Sequence, residues 1–332
     1  MPAAEQGAVG GIEPALMKKL SLTLVAAGVA AAPAMPCDLC TVYSAAHSRG
    51  EIGSGFFAAV AEQYTYFGTL QEDGSQINDP AHQHLASSIT QLAVGYNFGE
   101  RVGVQFNVPM IYRSYKRADG FALDHGTESG LGDVSLSAHW TPVRLEKMDT
   151  TFQWSLLGGV KFPTGSSDRL KEELTEVEIP GAPESGIHGH DLALGSGSYD
   201  GIVGTGLYVR HKHVFASLNA QYTIRSRGDL GYRYANDLNW WGGSGVYLAL
   251  KDNWSLAVSA VASGEYKGMD HFQGAHAEDT AITAVYVGPQ VSFTWSDHLD
   301  VEVGLDVPVH QQNSSIQTVP DYRVHTAVTW HF

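Results

Sequence analysis

The sequence predicts an all-β fold: a single antiparallel transmembrane β-barrel of about twelve strands with both termini in the periplasm. Three observations carry this expectation. Apolar and polar residues alternate along most of the chain, short and long connections alternate between those stretches, and the last stretch ends on an aromatic residue. The 37 Gly, 7 Trp, 15 Tyr and 12 Phe are spread over all 332 residues. After residue 34 no apolar run approaches the roughly 18 residues that a membrane helix needs, so an α-helical membrane protein is not expected.

The N-terminus reads as an export signal. Met17-Lys18-Lys19 supplies a positive start, LSLTLVAAGVAAA an apolar run, and Ala32-Pro33-Ala34 a small-residue cleavage site. Residues 1–16 add no pattern, which makes Met17 the expected start and 1–34 an extension plus signal peptide. Residues 35–51 then form a short periplasmic segment, and 52–332 the barrel. Cleavage removes Lys18, Lys19, Glu5 and Glu13 together, so the net charge stays at −15. That charge argues against nucleic acid, whose phosphates need Lys and Arg.

The strands are expected at 54–68, 86–98, 102–115, 131–143, 150–163, 198–210, 213–226, 237–250, 254–266, 281–295, 299–310 and 321–332. The first does not commit to a face, because FFAAVAEQYTYF is apolar on both sides. The eleventh commits fully: Leu299, Val301, Val303, Leu305, Val307 and Val309 oppose Asp300, Glu302, Asp306 and His310. In the last, Tyr322, Val324, Thr326, Val328, Trp330 and Phe332 share one face, the form of a barrel-closing strand. Short turns fall near 99–101, 144–149, 211–212, 251–253 and 296–298. Long loops fall near 69–85, 116–130, 164–197, 227–236, 267–280 and 311–320. Aromatics at strand ends, among them Phe98, Tyr112, Trp140, Trp254, Trp295 and Trp330, suit the two interfacial girdles of a barrel.

The polar faces nominate a lumen wall. Its candidates are Gln105, Asn107, His139 and Lys161 in the first half, then Asp200, Arg210, Asn219 and Gln221. Glu265, Asp300, Glu302, Arg323 and His325 complete it. A barrel of this size lies between eight strands, which side chains fill, and sixteen, which leave an open pore. The expected lumen is narrow or partly plugged, and lumen polarity, loop charge and any inward-folded part of the 164–197 loop would set selectivity.

Three further stretches carry a family resemblance. SGLGDVSLSAHW (129–140), GGVKFPTG (158–165) and LGSGSYDGIVG (194–204), in that order, resemble the outer-membrane transporters named for the meta-pathway of phenol degradation. The resemblance spans roughly 52–332. It implies a porin-like channel for small solutes, often aromatic or hydrophobic, in an outer membrane of lipid and lipopolysaccharide. It transfers no residue-level substrate site.

Other features leave alternatives open. Cys37 and Cys40 form CDLC, for which a disulfide is the default in an oxidising compartment. Two thiolates alone leave a zinc or copper site incomplete, and covalent haem would need His where Thr41 stands. The runner-up to a channel is a barrel scaffold for a periplasmic electron-transfer or metal-handling partner engaged through this segment. Among the loop histidines, His82, His84, His188 and His190 are candidate metal ligands, or simply polar decoration. No cofactor is expected. No G-x-S-x-G, H-E-x-x-H or P-loop occurs, and His139 near Ser137 has no evident orienting partner, so no enzyme is expected.

Overall fold

The computed structural model describes residues 54–175, 179–296 and 298–332. The signal segment and the Cys37–Cys40 pair lie outside the described residues. In chain order the strands are β1 (Gly55–Glu72), β2 (Ser75–Gln76), β3 (His84–Asn97), β4 (Val102–Asp119), β5 (Ala122–Leu131), β6 (Ser135–Lys147) and β7 (Thr150–Lys161). After a long loop follow β8 (Asp200–His211), β9 (Val214–Ile224), β10 (Tyr232–Arg233), β11 (Asp237–Lys251) and β12 (Trp254–Lys267). The last are β13 (Asp270–Phe272), β14 (Ala275–Ala277), β15 (Ile282–Trp295), β16 (Leu299–Asn313) and β17 (Ile316–His331).

Twelve of these make the wall, each antiparallel to its neighbours: β1, β3, β4, β6, β7, β8, β9, β11, β12, β15, β16 and β17. The wall closes because β17 pairs with β1, from Phe57 opposite His331 to Glu72 opposite Ile316. Closure leaves no wall strand with an unpaired edge, which is what a strand structure in hydrocarbon requires.

Alternation decides which side chains meet the interior. On β16, Asp300, Glu302 and Asp306 are buried while Val303, Leu305, Val307 and Val309 are exposed on the outer face. The structure also assigns the undecided first strand. Phe57, Ala59, Ala61, Gln63 and Thr65 turn inward, and Phe56 and Val60 outward. Both faces read as apolar because Phe57 packs inside, its ring 5.8 Å from that of His331.

Outward aromatics mark both rims. At the short-turn end Phe56, Tyr96 and Phe98 meet edge to face in series, with centroids 4.7 and 4.9 Å apart, and Trp295 lies 6.4 Å from Trp330. Toward the long-loop end Tyr322 stacks on Tyr66 at 5.8 Å and packs tilted on Tyr64 at 6.2 Å.

Two expected loops prove to be strand. Residues 116–130 form a hairpin, with Asp119 opposite Ala122 and Met110 opposite Leu131. Arg117 and Asp124 pair across it at 2.9 Å. The sequence does not mark it as strand because neither face of Ala122–Leu131 is continuously apolar. The 311–320 loop likewise shrinks to Ser314-Ser315, because β16 and β17 run on past the apolar band.

One backbone contact is closer than any side chain permits. A Cβ on Gly288 would lie 1.6 Å from the Leu305 carbonyl oxygen and 2.7 Å from its carbon. Gly288→Ala should therefore push β15 and β16 apart and cost about 1–3 kcal/mol, the usual range for overpacking. Urea unfolding in detergent should show it as a lower midpoint; an unchanged midpoint would contradict this packing.

Candidate functional site

All the side chains nominated for the lumen wall lie on the inner face, buried or half-buried. They do not form one site. Arg210 sits near the short-turn end, where it donates to Thr151 Oγ1 at 3.0 Å, and Asp300 accepts from Thr294 at 2.9 Å. Midway, Gln105 donates to Asn107, which donates to Ser135 at 3.2 Å, while His139, Asn219, Gln221 and Glu302 are buried along the wall. Glu265 accepts from Arg323 and from the Tyr286 hydroxyl at 2.7 Å, and the Arg323 guanidinium lies 4.1 Å over the Tyr286 ring. His325 Nδ1 stands 3.7 Å from Asp306.

Near the long-loop end, Lys161 and Asp200 do come together. Lys161 Nζ, at the end of β7, bonds Asp133 at 2.5 Å, Asp200 at 2.8 Å and Ser196 Oγ at 2.5 Å. Arg225, just after β9, bridges Asp200 at 3.1 Å and Asp237 at 2.7 Å. Alternating charges thus run along the rim from β7 to β11. Buried charges are tolerated only when they are paired and hydrogen-bonded, and here each has at least one partner.

Asp133 is the centre of this arrangement, and the sequence reading missed it. Its carboxylate accepts from Lys161, from the Gly165 N–H at 3.0 Å, and from the Ser196 N–H and hydroxyl at 2.9 and 2.8 Å. Asp133, Lys161, Gly165 and Ser196 come from the three stretches that carried the family resemblance. Their shared role is therefore to pin both ends of the β7–β8 loop to the wall. Gly165 and Gly195 allow the approach: a Cβ on either would fall 2.5–2.6 Å from the backbone of the other end of the loop. The available signal was an Asp inside one Gly-rich stretch, matched by a Lys and a Ser in the next two.

The loop, residues 162–199, folds into the mouth. It contains a 3-10 turn (Asp168–Leu174) and a one-turn helix α1 (Gly189–Leu192). Ile187 and Leu192 pack on inward-facing Phe67, Leu85 and Tyr115, and Leu194 packs on Ile89 and Ile111. Leu170 and Ala193 meet Tyr232 from the next long loop. Arg113 of β4 donates to the Asp191 and Ala193 carbonyls at 2.6 and 2.8 Å, holding the end of α1 against the wall. Between plug and wall lies a cavity of about 140 Å³ whose lining includes Phe67, Leu85 and Tyr234, the bases Arg113, Lys161, Arg225 and Lys267, and the acids Asp191 and Asp237.

The candidate histidines separate. His84 stacks on outward-facing Tyr66 at 6.2 Å, and His82 is exposed. His188 and His190 are buried in the plug, their rings stacked 5.6 Å apart. Burial opposes a charge on His190, but Asp191, Glu173 and Asp279 outweigh it and push its pKa up to about 10. Burial likewise works to raise Glu173, and its bonds to His190 overcome this, holding it near 2.

Fold and site together define a closed, plugged antiparallel barrel of the outer-membrane type. No family model matches the chain, and no curated protein matches it in sequence. Among solved structures it is similar to an outer membrane channel from Pseudomonas putida F1, with a TM-score of 0.58 and 15% identity over 85% of this chain and 97% of that one. It is also similar to the β domain of the Bordetella autotransporter BrkA (TM-score 0.44, 10% identity, 84% and 100% covered). A third is the translocator domain of NalP from Neisseria meningitidis (0.40, 12%, 85% and 90%). The first of these likenesses shows the fold.

Asp133→Ala removes one partner of a buried pair, so it should cost about 3–5 kcal/mol of loop anchoring. Trypsin should then cut at Arg169 and Lys171 much faster than in the parent, with the wall intact. The Glu173–His190 pair should also make anchoring pH-dependent. The raised His190 contributes fully below its unfolded value of about 6.5 and loses its contribution as pH rises through about 10. The lowered Glu173 contributes fully above about 4.5 and loses its contribution as pH falls through about 2. Hydrogen exchange in residues 187–194 should accordingly be slowest, after correction for intrinsic rates, near pH 4.5–6.5 and accelerate toward pH 10.

Proposed function

We propose that this chain is an outer-membrane channel for small solutes, with both termini periplasmic and the 162–199 loop as its selective constriction. The outward apolar face, the two aromatic rims and the sorting of short and long connections support a barrel in that membrane. The cavity under the plug carries the solute reading. At about 140 Å³ it is close to the size that accommodates a single benzene ring.

Its lining adds a polar preference. Phe67, Leu85 and Tyr234 offer a ring its apolar surface, while Arg113 faces the same space. Arg113 is 7% exposed, and its Nε donates to no acceptor among the described residues. A buried donor without an acceptor costs roughly 1–3 kcal/mol, and a carboxylate in the cavity would recover that. The preferred solute is then a one-ring aromatic acid, which deepens the phenol-type expectation with a charge.

Liposomes carrying the barrel should admit benzoate faster than benzyl alcohol or a hexose, and Arg113→Met should reduce the benzoate preference several-fold. Absence of flux for every solute, in both the parent and Asp133→Ala, would overturn the channel reading. Equal flux of benzoate and benzyl alcohol would overturn the acid preference alone.

A further inference from the structure

We infer that His188, His190 and Asp279 bind a divalent transition-metal ion of the zinc–copper class, which ties the plug to the loop between β14 and β15. Asp279 lies in the 3-10 turn Glu278–Thr280, about ninety residues along the chain from the two histidines. The fold nevertheless gathers one potential ligand atom from each of the three within 4.8 Å of the others. Bonds of about 2.0–2.2 Å in a tetrahedral site place donors roughly 3.3–3.6 Å apart. Side-chain rotation of about an ångström would close that difference.

The individual contacts already point at a shared centre. His188 Nδ1 lies 3.1 Å from Asp279 Oδ2 and 3.9 Å from Asp191 Oδ2. His190 Nε2 lies 3.4 Å from Asp191 Oδ1. Asp191 thus lies beside both rings without joining the three-residue cluster, where it can accept from a water on the ion. On the other side of the ring, His190 Nδ1 meets Glu173 Oε1 at 3.0 Å, and the same oxygen accepts the His190 backbone N–H at 2.8 Å. A carboxylate behind an imidazole in this way fixes its orientation and makes the far nitrogen a better ligand.

Charge and composition select the ion. Three carboxylates surround two imidazoles, an excess of negative charge that a divalent cation neutralises. Two nitrogens with one or two carboxylates suit zinc or copper; calcium and magnesium prefer sites built of oxygen alone, and thiolate sites select softer ions. Access is from solvent through the acids, since the Asp279 and Asp191 side chains are 26% and 35% exposed while those of His188 and His190 are 8% and 4%. An ion here would cross-link two loops over the mouth and hold the plug shut, a restraint added to the Asp133 anchor.

The test is calorimetric titration of the folded, chelator-treated full chain with ZnCl2 and CuCl2, in a Cys37→Ser, Cys40→Ser background that removes the thiols. Saturable binding near one ion per chain is expected. Asp279→Asn should weaken it at least tenfold and His188→Gln should abolish it. The double change His271→Gln, His276→Gln should leave it unaltered, although those rings lie 4.4 Å apart. Electron paramagnetic resonance of the Cu²⁺ form should show two imidazole nitrogens, falling to one in His190→Gln. No saturable heat, or binding indifferent to both Asp279→Asn and His188→Gln, would overturn the site. Binding is read here without transport, so either result leaves the channel reading to its own test.

Discussion

The pairing of β17 with β1 is the constraint on which the rest of the molecule depends. In hydrocarbon, each N–H or C=O left on an open sheet edge would cost several kcal/mol, because no water is there to bond it. Closing the sheet gives each wall strand a paired neighbour on both sides, and the consequences follow in turn. Every strand must have one face toward lipid and one toward the lumen, so the chain alternates. The lumen face, shielded from lipid, can hold charged side chains such as Asp300 and Arg323, which find partners on other wall strands at Thr294 and Glu265. Close approach of strands then makes its own demand, seen where Gly288 meets the Leu305 carbonyl.

A closed wall of this size leaves a mouth too wide for side chains to seal, and the β7–β8 loop fills it. The loop is fastened in two chemically different ways. Apolar contacts of Ile187, Leu192 and Leu194 seat it against inward-facing Phe67, Leu85, Ile89 and Ile111. Charged contacts at Asp133, Lys161 and Ser196 fix its two ends at the rim. The apolar part is tolerant of small displacements, whereas the buried charges are not, since separating them would leave an unpaired ion out of water. His188 and His190 are buried between these apolar anchors, and His190 also lines the cavity between plug and wall.

The wall was largely legible in the sequence, because lipid imposes a period-two apolar face that is visible one strand at a time. Where that pressure lapses, so does the reading. Residues 116–130 pair as β4 and β5, yet the sequence reads as loop there because neither face is continuously apolar. Phe57 obscured the first strand because an inward position happened to take an aromatic. The plug site was legible only in fragments. Alternation nominates Lys161 and Asp200, but Asp133, which shares Lys161 with Asp200, lies between β5 and β6, and alternation nominates neither Arg113 nor Arg225.

Strand number, the faces of most wall strands and most of the connections are thus legible in local alternation and turn residues, with the first strand's face and the 311–320 turn as exceptions. The inward turn of the third long loop, the convergence of three Gly-rich stretches on one carboxylate and the meeting of Asp279 with two histidines far from it in the chain belong to the tertiary structure alone. Those facts depend on distances across the barrel. Such distances are set by closure of the whole sheet, which no single stretch of residues encodes.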